Sequence, residues 1–278
     1  MKKYISIILT ITICLLLTSC TNKNNNESTK SLEDGFGKYP QTLVTDDSVI
    51  KNLAKITKTN EFGYIEYNQK EYLKYKENYY LVEPITWISF NVKNKTYYIT
   101  EKILDRQVYM SDEYFEPNLY SYLKKPGVPE KTHANNYYYS DLREWLNSYF
   151  ISTAFTNEEI KTILKTSVDN SLSSTNDQSN PYVCSNTEDY LFALSCLEAE
   201  YLQNRSALPT DYAIARGVVP HNDEKIDPDF NGYAVSWLRT PSPFYSYCVS
   251  CINYDGNIYR YSDCYYEGVG VRPAFVRK

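Results

Sequence analysis

The segments YYLVEPITWISF (residues 79–90) and KTYYITEKIL (95–104) alternate or run apolar and are rich in β-branched and aromatic residues. That pattern predicts strands, with Asn94 and Lys95 between them suiting a tight turn. GKYPQTLV (37–44) reads as an opening strand, with Pro40 confined to a sheet edge. KNLAKITK (51–58) is a short helical patch, and residues 111–138 read as a long surface loop. In SDLREWLNSYF the apolar positions Leu142, Trp145, Leu146 and Tyr149 fall on one helical face behind an N-cap at Ser140. Thr156 with Glu159, and Ser195 with Glu198, have the spacing of capping boxes, in which two free backbone amides are satisfied reciprocally. The first opens EEIKTILK; the second follows a strand-like DYLFAL. SVDNSLSSTNDQSNP is a loop by composition, and strand-like segments dominate from Ala234 onward. The order is mixed α+β, with two or three helices and a C-terminal antiparallel hairpin sheet, and lacks the alternating βαβ units of a doubly wound sheet.

The first twenty residues, MKKYISIILTITICLLLTSC, place two lysines before an apolar run that closes on Leu17-Thr18-Ser19-Cys20. The run is short for a membrane span, which needs roughly 20 apolar residues, and reads as an export signal. Its end resembles the lipobox of bacterial lipoproteins. The resemblance implies cleavage after residue 19, acyl chains on Cys20 and the membrane lipid as a partner, with two or more chains giving stable anchoring. Residues 20–34 then form a polar tether from the lipidated cysteine, reaching on the order of 20 Å as a flexible coil. The expected location is the cell envelope, outside the cytoplasm. Residues 35–278 are expected to form a single domain.

Composition changes this picture in one respect. The chain has 29 Lys+Arg against 34 Asp+Glu and a formal charge of −5. With no long basic run, nucleic acid is not an expected partner. Thirty tyrosines stand against ten phenylalanines. AT-rich coding accounts for such a count, so placement has to carry any functional meaning. In YSYCVSCINYDGNIYRYSDCYY (245–266), Asp255-Gly256 signals a hairpin. A three-residue loop from Asp255 to Asn257 puts Ile252 and Ile258 on one face, which fixes the register if that face is buried. Cys248 then lies opposite Cys264 and Ser250 opposite Ser262. Tyr247, Val249, Cys251, Asn253, Tyr259, Tyr261, Asp263 and Tyr265 face outward.

In an exported protein this register favours a Cys248–Cys264 disulfide. It disfavours zinc, because Cys248 and Cys251 sit at an odd separation and point to opposite faces. The only histidines, His133 and His221, lie in loops. His221, Asp223, Glu224, Asp227 and Asp229 form an acidic loop without EF-hand spacing. No metal set, cofactor motif or catalytic constellation is read, although triads are geometric and need no sequence motif. The outward mix of Tyr247, Asn253, Tyr259, Tyr261, Asp263 and Tyr265 is of the kind that binds ligands well, since tyrosine gives rigid contact area at low entropic cost. An ordinary hairpin carrying composition-driven tyrosines is the plain alternative.

LFALSCLEAE, RSALPTDYA, SWLRTPSP, YDGNIY and GVGVRPAF follow one another between residues 191 and 275. Their order resembles a large bacterial family of unknown function, typified by L-S-x-x-E, P-T-x-Y-A, W-L-R-[ST]-P and G-V-R-P-A. FGKYPQT, EPITW, EKILD and SDLREWLN extend the likeness over nearly the whole body. The closing W-x-R … D-G … G-V-R-P arrangement is similar to the C-type-lectin-like fold shared with formylglycine-generating enzymes. That implies a framework role for Trp237, Arg239, Arg272 and Pro273, the arginine fork serving several loop carbonyls; the alternative is an anion grip by Arg239 or Arg272. By the same analogy the ligand site is expected in the terminal region. The leading expectation is an envelope lipoprotein displaying a lectin-like domain for a glycan or protein ligand. An extracytoplasmic enzyme or maturation factor related to formylglycine-generating enzymes comes second, although no motif maps their cysteine pair onto this chain. A structural envelope protein without a ligand comes third.

Overall fold

The computed structural model describes Leu32 and residues 35–116, 119–223 and 225–277. The export signal, Cys20, all of the tether but Leu32, and Glu224 of the acidic loop lie outside the described residues. No helix among the described residues is long and apolar enough to cross a membrane.

Helices and several mostly antiparallel sheets make the architecture α+β. The opening strand Lys38–Leu43 forms at the edge of a four-stranded sheet with Asn78–Pro84, Lys70–Tyr75 and Ile65–Tyr67. Its register slips between Pro40 and Thr42, as suits a proline confined to an edge. A second sheet orders Ile163–Leu164, Ala274–Arg277, Lys95–Thr100 and Trp87–Val92. Trp87–Val92 and Lys95–Thr100 pair through a two-residue turn at Lys93 and Asn94, with Lys93 at φ 55. The expected turn at Asn94 and Lys95 is thus displaced by one residue. The third sheet carries the C-terminal hairpin at its edge: Ile258–Asp263, Cys248–Ile252, Ser236–Pro241, Gly270–Val271 and Asp105–Arg106.

Local chemistry sets the helices. Ser140 caps Asp141–Trp145 by accepting from the Arg143 amide, and a π-helical turn, Leu146–Phe150, continues it into Ile151–Ala154. Both capping boxes form, at Thr156 with Glu159 and at Ser195 with Glu198. The early helix runs Asp47–Leu53 from an Asp46 cap, upstream of the expected patch. Two expectations change more. Phe192 makes only an isolated bridge to Ala274, so DYLFAL is not a continuous strand. Residues 111–138 are not simply a surface loop, because Ala134, Asn135 and Tyr137 are buried in the core.

One core cluster runs from Phe36 to Val276. Phe36 lies 5.4 Å from both Phe155 and Phe275, and the Trp87 indole donates to the Phe36 carbonyl at 2.8 Å. Gly37 sits at φ +70, where an added Cβ would lie 2.7 Å from the Phe155 ring, so the chain enters the core only through glycine there. Gly270 is required for a different reason: a Cβ would meet Ile103 at 2.1 Å. The opening strand also reaches a buried carboxylate. The Tyr39 hydroxyl donates to Asp105, which Arg216 Nε contacts at 3.0 Å. Burial raises the Asp105 pKa, and Arg216 and Tyr39 oppose that rise. Removing the donor alone leaves a buried acceptor short, which costs about 1–3 kcal/mol. Tyr39→Phe should therefore lower the urea midpoint without changing the m-value; an unshifted midpoint would show that the bond adds nothing to stability.

Candidate functional site

The hairpin strands Cys248–Ile252 and Ile258–Asp263 pair antiparallel, with Ile252 opposite Ile258 and Cys251 opposite Tyr259. The two isoleucines share a face, but the register is not the expected one. Asn253 donates its amide to the Asn257 carbonyl at 2.8 Å and Gly256 to Asn253 at 2.9 Å, so the loop closes one residue earlier. A bulge between Val249 and Cys251 then shifts the pairing again. Cys248 faces Asp263 and Val249 faces Ser262. This corrects the expected Cys248–Cys264 and Ser250–Ser262 oppositions.

The disulfide loses its geometric premise with that register. Cys248 and Cys264 are free thiols, as are Cys184, Cys196 and Cys251, and the Cys248 thiol donates to Asp263 at 3.3 Å. Burial, with Asp263 alongside, pushes the Cys248 thiol up to about 12. Burial does the same to Cys251, also to about 12, and raises Cys184, Cys196 and Cys264. Thiol chemistry runs through the thiolate, so burial works against these five as nucleophiles. No group of three His, Cys, Asp or Glu side chains among the described residues could hold a metal.

The expected outward face divides in two. Val249 and Cys251 are buried, because the inner hairpin strand is covered on both faces. Tyr247, Asn253, Asp263 and Tyr265 are half-buried. Tyr265 turns toward Phe115, ring centroids 5.7 Å apart, and its hydroxyl donates to Asp263 at 3.2 Å. Tyr259 and Tyr261 remain outward, 50% and 45% exposed. Two rings that strand alternation did not reveal join them: Phe244 at 53% and Tyr245 at 48%. Phe244 stacks on Tyr261 at 4.9 Å with 8° between planes, and Tyr259 and Tyr245 lie 5.5 and 6.2 Å from Tyr261. The four rings make one continuous exposed aromatic surface. The available signal was the Phe244-Tyr245 pair directly after Pro241 and Pro243, which precedes the strand and so escapes a period-two count.

That surface is held from behind. Ser246 accepts from the Asn135 amide at 3.0 Å, and the Asn135 side chain donates to the carbonyls of Tyr245 and Cys248, also at 3.0 Å. Trp237 is buried with its indole on the Gln107 carbonyl at 2.8 Å. Pro273 is buried, and its carbonyl accepts from the Thr100 amide at 3.2 Å.

The two arginines differ. Arg239 is 1% exposed, and its fork donates to the carbonyls of Ala193 and Asp169, to Asn170 Oδ1 and, bidentately, to the Glu198 carboxylate. Burial disfavours its charge, but Glu198 more than restores it, and the pKa is raised. No donor is left over for a ligand. Arg272 is equally buried but makes no ion pair among the described residues: Nε and Nη1 donate to the carbonyls of Thr100 and Arg205, and Nη2 has no acceptor among them. Burial lowers its pKa to about 10, with Glu101 opposing.

A comparison with protein families matches residues 93–277 to a Domain of unknown function (DUF6273). The chain belongs to this family. The match covers two-thirds of the DUF6273 chain and begins at Lys93, so FGKYPQT and EPITW precede it. No curated protein and no solved structure matches.

Removing one partner of a buried ion pair costs about 3–5 kcal/mol, whereas losing a buried charge that lacks a partner costs less. Arg239→Met should destabilise by that larger amount, and Arg272→Met by clearly less. Equal losses in urea titration would contradict the division. In native protein near neutral pH, iodoacetamide should leave Cys248 and Cys251 unmodified, with peptide mapping as the check.

Proposed function

We propose that this protein is an exported lipoprotein, anchored through acylated Cys20, that displays a C-type-lectin-like domain for recognition of a glycan or protein ligand. The observation that carries the reading is the continuous exposed surface of Phe244, Tyr245, Tyr259 and Tyr261. Contiguous apolar patches on a soluble surface mark interaction sites, and tyrosine-rich ones combine rigid area with hydrogen-bonding tips. Tyrosine abundance alone carries no such weight, since ten tyrosines among the described residues are buried in the core. The grouping of two rings from the edge hairpin with two from the segment before it, backed by Asn135, is what distinguishes them.

The anchor reading is supported by the lysine pair, the apolar run and the Leu-Thr-Ser-Cys ending. Cys20→Ser should release the protein from the membrane fraction; retention there would reject lipidation. For the face, Tyr259→Ala combined with Tyr261→Ala should abolish binding on glycan and envelope-protein arrays while the melting temperature stays within a few degrees, because both side chains are half exposed. Array signals that survive the double substitution would discard this face.

A further inference from the structure

A separate groove of about 680 Å³ lies between the segment around Glu61 and Phe62 and the helical stretch from Tyr149 to Ile160. Glu61 and Phe62 precede the family match, while Tyr149 and Asn157 lie within it. The residues ahead of the match therefore complete a cleft that the matched residues do not form alone.

The cleft's chemistry is selective. Most of its hydroxyls are engaged: Ser152 and Thr153 donate to the Tyr149 carbonyl, and Thr156 to Glu159. Cation positions at the rim are taken by the protein's own lysines. Lys161 pairs with Glu158 at 2.7 Å, and Lys38, bonded to Glu71, places its Nζ 5.3 Å from the Phe62 ring centre. An anion would meet the Glu61 carboxylate, and no lysine or arginine among the described residues lines the groove. What remains uncommitted among the described residues is the Glu61 carboxylate as acceptor and the Asn157 amide as donor and acceptor, while Tyr149, 54% exposed, stacks on Trp145 at 6.4 Å and lines the groove with the rest of its ring. An exposed aromatic ring next to an amide and a carboxylate, which turns anions away and accepts from hydroxyls, matches a ligand with apolar C–H faces and many hydroxyls.

We propose that this groove is a second binding site and takes a neutral oligosaccharide. It rests on residues remote in sequence from the aromatic hairpin, and does not require that reading. The test is titration calorimetry of the full chain with neutral trisaccharides (maltotriose, cellotriose and chitotriose), with spermidine and glucuronate as charged controls. The expected result is binding of at least one trisaccharide, unaffected by added salt. Tyr149→Ala should weaken it about tenfold, equivalent to about 1.4 kcal/mol; Asn157→Ala should weaken it as well, and Tyr261→Ala should leave it intact. Tyr149 and Asn157 are both exposed, so these variants should keep the parent melting temperature. The proposal is overturned if no trisaccharide binds, if spermidine or glucuronate binds more tightly, or if the affinity is indifferent to Tyr149→Ala. Loss on Tyr261→Ala instead would assign the sugar to the hairpin face and reject the groove.

Discussion

The structure turns on one buried ion pair. Arg239 enters the core from the strand Ser236–Pro241, and its guanidinium ties together the Ala193 carbonyl, the loop at Asp169 and Asn170, and Glu198. Glu198 is already fixed by its capping box on Ser195, so the pair links a helix start to a central strand. A charge placed so deep is tolerable only with its counter-charge and hydrogen bonds complete, and here every N–H of the fork has an acceptor. Loop carbonyls that would otherwise be buried unsatisfied gain their donors from the same side chain.

This explains why a tyrosine-rich, loop-rich chain can hold an exposed aromatic surface. The segment joining Pro241 to Cys248 leaves the strand that Arg239 anchors, and Asn135 fastens its far end through Tyr245 and Cys248. With the backbone fixed on both sides, Phe244 and Tyr245 stand clear of the core and meet Tyr259 and Tyr261. Tyr265, two residues beyond the strand, instead finds Phe115 and turns in.

The residues ahead of the family match are packed into the same core. Phe36, Tyr39 and Trp87 contact Phe275, Asp105 and Phe155, and Leu43 donates its amide to Asp211. Deleting them would expose aromatic surface and strip a buried carboxylate of a donor. The same segment supplies one wall of the groove beside Tyr149. Stability and the second cleft therefore have a common origin.

Features whose partners lie three or four residues apart were legible in the sequence. Both capping boxes and the Ser140 cap formed as their spacing dictates, and a hairpin formed at Asp255-Gly256 although its loop closes one residue early, because a short chain segment can satisfy such features alone. The early helix was misplaced because its start depends on the Asp46 cap rather than on apolar spacing. The mixed α+β class also followed from pattern. Hairpin register did not, because the Val249–Cys251 bulge answers to burial on both faces of the inner strand. Nor did the partners of Arg239, which lie between 41 and 70 residues away along the chain, or the recruitment of Phe244 to Tyr261. Local bonds need only the neighbouring residues, whereas register, ion-pair choice and exposure are settled when distant segments compete for one interior.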